Sequence, residues 1–398
     1  MSKLHALGHQ AFVPAASSLR LAFSSAVLSL FACSSPPSAG GPPATGGSSG
    51  SATNGGAAST AGTGGSASTS GSASVAGGGN DAGGGGSGTT AGTGGSAGAT
   101  PSGGSAGMAA SGITCTPTGD GNGVHDQPEP YGKPPEANAM PNVPTGTLTP
   151  LTPFQSKIYD NHIFGYRIYV PAQYKPGQRA AFMLVEDGPS HYLGGQATEA
   201  KFFTNVVMDN LIAEGSVPVT IGLFVDVCMQ KCDDERVVIY DDASDKYARF
   251  VTEELLPAVI SGKYDVVQDP EAWLAVGFSA GAAQSFTVMW NRPIFHKFIG
   301  HNTSFPAAKD HGVDYAALVP NTENKGFRVT LTSGTNDLSD ARGNWLEYSK
   351  QMEMVLAAKG YPVRLMTGTG GHYPPDQSSM GFPNDLRWMW QGCRLADY

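Results

Sequence analysis

Residues 34–112 form a stretch that cannot fold into a packed domain, and this constrains where structure begins. The stretch is almost entirely Gly, Ser, Ala and Thr, it lacks aromatic residues, and Asp81 is its single charged residue. Such a composition buries too little apolar surface to offset the entropy lost on ordering. We therefore predict a disordered linker over residues 34–112 and one folded domain over residues 113–398.

The charge outside this linker is that of an ordinary soluble domain. Once Lys3, Arg20 and Asp81 are set aside, residues 113–398 hold 22 of the 24 Lys and Arg residues and 32 of the 33 Asp and Glu residues. This acidic balance excludes a strongly basic nucleic-acid-binding protein. The sequence has no run of about 18 apolar residues, which excludes a polytopic membrane protein.

The first 33 residues have the pattern of an export signal. Lys3 and Arg20 precede an apolar stretch over residues 21–32 that has the length of a signal-peptide core. It ends in Leu-Phe-Ala-Cys and resembles a bacterial lipoprotein signal, with Cys33 as the lipid acceptor. We predict a signal peptide over residues 1–33, and a protein attached to a membrane of the bacterial cell envelope through Cys33. The alternative is an ordinary secretory signal, which would give a secreted protein.

The remaining four cysteines are consistent with export, and they allow three pairings. A local bridge between Cys228 and Cys232 would leave Cys115 and Cys393 to join the start of the domain to its end. The alternatives are four free thiols, or a zinc site, for which Cys-x3-Cys without a second pair is a weak signal. The pairing stays open at this point. We predict no cofactor and no required metal.

Strand and helix patterns alternate through the folded part. Short apolar runs such as residues 181–186 are typical of buried parallel strands, whereas residues 113–157, rich in Pro, are predicted to wrap the surface. The alternation predicts an α/β fold, a mostly parallel central sheet with helices on both faces. The predicted strands are residues 164–170, 181–186, 217–225, 273–277, 327–332 and 362–366, and the predicted helices are residues 197–214, 244–259, 281–291 and 344–359, with a last one from residue 384.

Three polar clusters follow predicted strands, where such sheets place their sites. The first, Gly277–Gly281, is a G-x-S-x-G match between a strand and a helix, the context in which a serine becomes an exposed nucleophile. The second contains Asp337 and the third contains His372. In this arrangement His372 would accept the proton of Ser279, while Asp337 would orient the imidazole. Each could instead be structural: a tight turn, a helix cap and a solvated loop histidine. Asp340 and Glu347 are the alternative acids.

The order Ser, Asp, His is that of α/β-hydrolases, and the residues around it carry a family resemblance. Residues 148–390 resemble the esterase family that includes enterochelin esterases, feruloyl and acetyl-xylan esterases and mycolyltransferases. The resemblance implies an α/β-hydrolase without a large lid, acting on acyl esters of sugars, polysaccharides or siderophores. It also implies that Ser279, Asp337 and His372 form the triad. The matching segments are Tyr166–Pro171, Glu186–Gly188, Tyr247–Phe250, Glu253–Pro257, Gly277–Gly281, Ser304–Phe305, Gly334–Asp337 and Gly370–His372.

Two further sets of residues are expected around the triad. The oxyanion hole should use the N–H groups of Ala280, after the nucleophile, and of Gly188. In relatives the second donor lies just after the Asp-Gly pair, but here that residue is Pro189, which has no N–H; Ser190 or a side chain is the alternative. His191 and Tyr192 are expected to line the substrate pocket and Arg236 its rim, with exposure or structural hydrogen bonding as the alternatives.

The sequence thus predicts an exported serine esterase that forms an acyl-enzyme. Its expected substrate is a small-molecule or polysaccharide ester, with acetyl, feruloyl or siderophore esters as the classes that the resemblance implies. An acyltransferase with the same triad is one alternative. A catalytically inactive, tethered binding domain is the other, and it would predict a broken triad, whereas all three positions hold competent residues.

Overall fold

The structure is a computed structural model that describes residues 113–116, 119–193, 201–229 and 233–395. The predicted signal peptide and linker lie outside these residues. Within them, no helix combines the length and the apolar character needed to cross a bilayer. The strands are Ile113–Cys115 (β1), Gly123–Asp126 (β2), Thr147–Leu148 (β3), Thr152–Gln155 (β4), Ile163–Val170 (β5), Ala181–Glu186 (β6), Thr220–Asp226 (β7), Trp273–Phe278 (β8), Lys297–His301 (β9), Arg328–Asn336 (β10), Ser339–Asp340 (β11), Gly343–Asn344 (β12), Val363–Gly371 (β13) and Cys393–Leu395 (β14).

The helices connect successive strands and pack on the sheet. A π-helical segment over Phe250–Leu255 joins two of them into one continuous helix. The helices are Thr204–Glu214 (α1), Asp233–Tyr240 (α2), Lys246–Arg249 (α3), Leu256–Val259 (α4), Ala280–Asn291 (α5), Phe305–Asp310 (α6), Tyr315–Leu318 (α7), Trp345–Ala358 (α8) and Asp376–Trp390 (α9).

Ten of the described strands form one sheet, in the order β2-β13-β10-β9-β8-β6-β7-β5-β3, with β4 also paired to β5. The strands that run parallel to one another are β2, β13, β10, β9, β8, β6 and β7. In contrast, β5 runs antiparallel to β7, and β3 and β4 pair antiparallel with the other edge of β5. Every residue of β6, β8 and β9 is buried. Because successive side chains of a strand point to opposite faces, both faces of the sheet are covered. The predicted mostly parallel α/β sheet is confirmed.

The strand β9 was missed by the sequence analysis. It carries Lys297 and His301, two polar residues that break the apolar pattern, yet both side chains are fully buried. Lys297 is stabilised there by Glu271, whose carboxylate lies 3.0 Å from Nζ. Burial lowers the pKa of Lys297, and the Glu271 charge opposes this.

The segment before residue 157 does more than wrap the surface. β2 adds a parallel strand beside β13, and β3 and β4 close the opposite edge of the sheet. The helix predicted from residue 197 begins at Thr204, and the helix predicted from residue 384 begins at Asp376 and contains Pro383.

The two ends of the described chain are joined. β1 pairs antiparallel with β14, and a disulfide links Cys115 to Cys393. This is the long-range pairing among the alternatives above. Cys228 is also disulfide-bonded, and Cys232 lies outside the described residues.

The Cys115–Cys393 bridge should stabilise the domain substantially, because it closes a very long loop in the unfolded chain. We expect a Cys115→Ser/Cys393→Ser variant to lose about 2–5 kcal/mol of unfolding free energy. Denaturant titration of the two oxidised proteins measures the difference. Reduction is not an equivalent experiment, since Cys228 would be reduced too. Equal unfolding midpoints would contradict the expectation.

Candidate active site

Ser279 lies on a sharp turn between β8 and α5. Its backbone has φ 57° and ψ −122°, a conformation that non-glycine residues rarely adopt and that marks strain at functional sites. A Cβ at Gly277 would lie 2.5 Å from the backbone N of Ala282, and one at Gly281 would lie 2.6 Å from Asp187 Oδ2. The two glycines of the G-x-S-x-G motif are therefore required by close approach at this strand-turn-helix junction.

The structure brings the three predicted triad residues together. His372 Nε2 lies 2.8 Å from Ser279 Oγ, and His372 Nδ1 lies 2.7 Å from Asp337 Oδ1. Asp337 follows β10 and His372 follows β13, so the carboxyl ends of three parallel strands supply the group. All three residues are buried. Because an ionised carboxylate only accepts hydrogen bonds, Nδ1 carries a proton and Nε2 is left to accept the hydroxyl proton of Ser279.

Asp337 is held by donors on both of its oxygens. Oδ1 also accepts the N–H of Leu338 at 2.8 Å, while Oδ2 accepts from Asn302 Nδ2 at 2.8 Å and from Ser333 Oγ at 2.6 Å. The amide of Asn302 is fixed in turn by Ser378. These bonds orient the carboxylate toward the imidazole.

The alternative acids lie elsewhere. Asp340 is exposed and bound by Arg342, and Glu347 is exposed and bound by Lys350. The residue that bonds the imidazole of His372 is Asp337, at 2.7 Å. Asp337 therefore stays the predicted acid, with Asp340 and Glu347 placed away from the imidazole.

The predicted oxyanion donors lie at two adjoining chain segments. Ala280 begins α5, so its N–H is among those that have no acceptor within the helix. Gly188 begins a π-helical turn over Gly188–Tyr192, directly after Asp187, which has a left-handed conformation with φ 56°. A Cβ at Gly188 would lie 2.5 Å from Phe224 Cβ, so close packing on β7 requires a glycine.

Ser190 is removed from the alternatives for the second donor. Its hydroxyl donates to Asp226 Oδ1 at 3.0 Å, and its backbone N–H also bonds the Asp226 carboxylate. Burial raises the pKa of Asp226 to about 7, with the negative charge of Asp187 adding to it and the two Ser190 bonds opposing it. The backbone N–H of Gly188 therefore stays the predicted second donor of the oxyanion hole.

The side chains of two acidic residues, Asp187 and Glu186, lie beside the turn that begins at Gly188. Arg236 binds Asp187 through two bonds, Nε to Oδ1 at 2.8 Å and Nη2 to Oδ2 at 2.5 Å. Arg236 therefore makes the structural hydrogen bonds that were the alternative for it, and its place at a substrate rim stays a prediction. Glu186 is fully buried and accepts from Tyr247 at 2.5 Å and from Tyr240 at 3.1 Å.

The two candidate pocket residues have different surroundings. His191 is half-buried, stacks on Phe278 with ring centroids 5.4 Å apart, and lies 3.3 Å from the hydroxyl of Tyr373. Because Phe278 adjoins Ser279 and Tyr373 adjoins His372 in sequence, His191 borders the two segments that carry Ser279 and His372. The expectation for Tyr192 is wrong, because its side chain is fully buried against Phe202 and its hydroxyl bonds His301 at 2.8 Å.

Two further site residues, Asn302 and Ser304, were not given roles by the sequence analysis. Ser304 Oγ lies 3.2 Å from Ser279 Oγ. Both residues follow β9, so recognition of that strand would have marked them as another cluster at the carboxyl end of the sheet.

The fold is that of an α/β-hydrolase. A model of the family described as "Putative esterase" matches residues 161–374, more than half of the chain, and the protein belongs to that family. A search of the curated proteins found no match.

Solved structures of esterases share the fold. A ferulic acid esterase is 15% identical, with a TM-score of 0.50, over 62% of this chain and 99% of that one. The enterobactin esterase of Shigella flexneri, solved with 2,3-dihydroxy-N-benzoyl-glycine, is 14% identical, with a TM-score of 0.51, over 66% of this chain. This chain aligns with 63% of the enterobactin esterase, less than two thirds of its length.

The buried Glu186 makes stability depend on pH. Burial raises its pKa to about 8 from 4.5, the Tyr247 and Tyr240 bonds oppose this, and the charges of Asp187 and Asp226 add to it. Between these pH values the folded protein keeps a proton that the unfolded chain has lost, so the unfolding free energy falls as pH rises.

Glu186→Gln should reduce this fall, because it removes the titrating group and leaves an acceptor for the tyrosines. One pKa unit corresponds to about 1.4 kcal/mol. We therefore expect the decrease in unfolding free energy between pH 5 and pH 8 to be smaller in Glu186→Gln than in the wild type by at least about that amount. Urea titrations at both pH values measure it. Glu253→Gln, at an exposed position, is the control, and equal pH dependence in Glu186→Gln and the wild type would contradict the prediction.

Proposed function

We propose that this protein is an exported serine esterase in which Ser279, His372 and Asp337 act as nucleophile, base and orienting acid. The observation that carries the proposal is the continuous hydrogen-bonded series from Asp337 Oδ1 through His372 to Ser279 Oγ, with steps of 2.7 and 2.8 Å. These lengths lie in the range in which an imidazole can take a hydroxyl proton during attack.

The reaction proceeds in two halves. Ser279 Oγ bonds to the ester carbonyl carbon while its proton passes to His372 Nε2. The N–H groups of Ala280 and Gly188 stabilise the oxyanion, and a lost donor would cost about 3–4 kcal/mol of transition-state stabilisation. His372 then protonates the departing alcohol, which leaves an acyl-enzyme. Water, deprotonated by His372, attacks that acyl group, and Ser279 leaves with its proton restored.

The alcohol part of the substrate is proposed to be a sugar or another polyhydroxylated group. A cavity of about 390 Å³ borders Gly371 and Tyr373, on either side of His372, and its lining includes Glu129, Tyr131 and Asp376. Carboxylates and tyrosine hydroxyls suit a partner with many hydroxyls better than an alkyl chain. The acyl part is proposed by analogy with the ferulic acid esterase and with the enterobactin esterase, one structure of which was determined in the presence of enterobactin.

The first test is covalent labelling by a fluorophosphonate probe. We expect a single adduct on Ser279, no adduct in Ser279→Ala or His372→Ala, and a kcat about 10³- to 10⁴-fold lower in Asp337→Asn, because the amide selects the wrong imidazole tautomer. Asp340→Asn is the matched control, since this exposed acid pairs with Arg342, and it should leave kcat unchanged.

A well-folded wild type that neither reacts with the probe nor hydrolyses acetyl, feruloyl or catecholate esters would contradict the esterase proposal. That result would favour the alternative function, a tethered binding domain built on a hydrolase fold. Product analysis with a sugar acceptor separates hydrolysis from acyl transfer, because transfer would give an acylated sugar in place of the free acid.

The location of the protein is proposed from residues 1–112. A lipid on Cys33 would anchor the domain, and a linker of about 79 residues would let it work roughly 50 Å from the membrane. In bacteria fed an alkyne fatty acid, we expect label on the wild type in the membrane fraction, and unlabelled, soluble Cys33→Ser. Soluble, unlabelled and processed wild type would favour the ordinary secretory signal.

A further inference from the structure

We propose that Ser304 is a further catalytic residue, whose hydroxyl donates to Ser279 Oγ, and that Trp345 positions it. The inference rests on the proposed esterase function and adds to it a hydrogen bond on the attacking oxygen itself.

The backbone places Ser304 against the proposed nucleophile. Ser304 lies between β9 and α6, and its N–H donates to the carbonyl of Ser279 at 3.0 Å. Its Oγ then lies 3.2 Å from Ser279 Oγ and 3.1 Å from Trp345 Nε1. Ser304 is 4% exposed and Trp345 is 1% exposed, so water does not compete freely for these bonds.

The chemistry of the neighbours fixes the direction of the bond between the two serines. The indole Nε1–H of Trp345 can only donate, so it occupies a lone pair of Ser304 Oγ. The hydroxyl proton of Ser279 points to the unprotonated His372 Nε2. The hydroxyl proton of Ser304 is therefore the one that lies between the two serine oxygens, and Ser279 Oγ accepts it.

This bond has its greatest effect where Ser279 Oγ carries the most negative charge. During attack the oxygen loses its proton to His372 before its bond to carbon is complete, and in the second half it leaves the acyl group before His372 returns the proton. A donor on the oxygen stabilises both transition states more than the neutral hydroxyl or the ester. It also holds the oxygen in the rotamer that faces His372.

The test compares two near-isosteric variants, Ser304→Thr and Ser304→Val, which differ in the hydroxyl. Stopped-flow bursts with a p-nitrophenyl ester give acylation and deacylation rates. We expect both rates to fall about 10- to 100-fold in Ser304→Val and Ser304→Ala with KM within about twofold, the loss expected for one charge-assisted hydrogen bond. Ser304→Thr should retain most of the wild-type rates.

Trp345→Phe keeps an aromatic ring and removes the N–H. We expect it to lower both rates about 3- to 10-fold alone, and to have no further effect in the Ser304→Ala background, because it acts through Ser304. Trp388→Phe is the control for loss of a buried indole N–H, which here donates to the Asp120 carbonyl, and should leave the rates unchanged.

Rates within twofold of wild type in both Ser304→Val and Ser304→Ala would overturn the inference, as would equal losses in Ser304→Thr and Ser304→Val. Additive losses from Trp345→Phe and Ser304→Ala would show that the indole acts through packing. If Ser279→Ala is inactive while the Ser304 variants are unimpaired, the inference fails and the esterase proposal stands. A wild type that neither turns over nor labels overturns both.

Discussion

The backbone turn at Ser279 is the constraint on which the rest of the site depends. A non-glycine residue at φ 57° is unfavourable on its own and persists only where the surroundings fix it. Here the Ser279 N–H donates to the His301 carbonyl at 2.9 Å, and its carbonyl accepts from Ser304. The neighbouring strand β9 and the segment after it thus hold the turn from both sides. The same contacts aim the hydroxyl at His372 and bring Ser304 beside it.

A second layer of polar groups supports the first. Asp337 is oriented by Asn302 and Ser333, and the turn that begins at Gly188 rests on the Asp187–Arg236 pair. Such groups are costly to bury unless each finds a partner. Their cost is tolerated because catalysis needs dipoles that are fixed before the charge develops. The stability of this region and its chemistry are therefore linked through the same buried carboxyl groups.

The sequence predicted those features that depend on local pattern. Buried strands such as β6 were predicted with the correct limits, because a short apolar run bounded by turn residues fits few structures other than a buried strand. Ser279, Asp337 and His372 were singled out because each follows such a strand, and the structure brings them within hydrogen-bond distance. β9 was missed, since its buried Lys297 needs a partner, Glu271, that lies in another element. The burial of Tyr192 and the pairing of Arg236 with Asp187 also depend on distant residues that a local pattern does not reveal.

The pairing of β1 with β14 brings the two ends of the described domain together. Its first and last strands pair with each other and are covalently linked at Cys115 and Cys393. The ends of most domains fray first, but here neither end can peel away while the bridge is intact, so opening must start inside the chain. Since the ends already meet, they could be joined by a short peptide and new ends cut in an exposed loop. The order of the elements along the chain would change while the sheet kept its pairing.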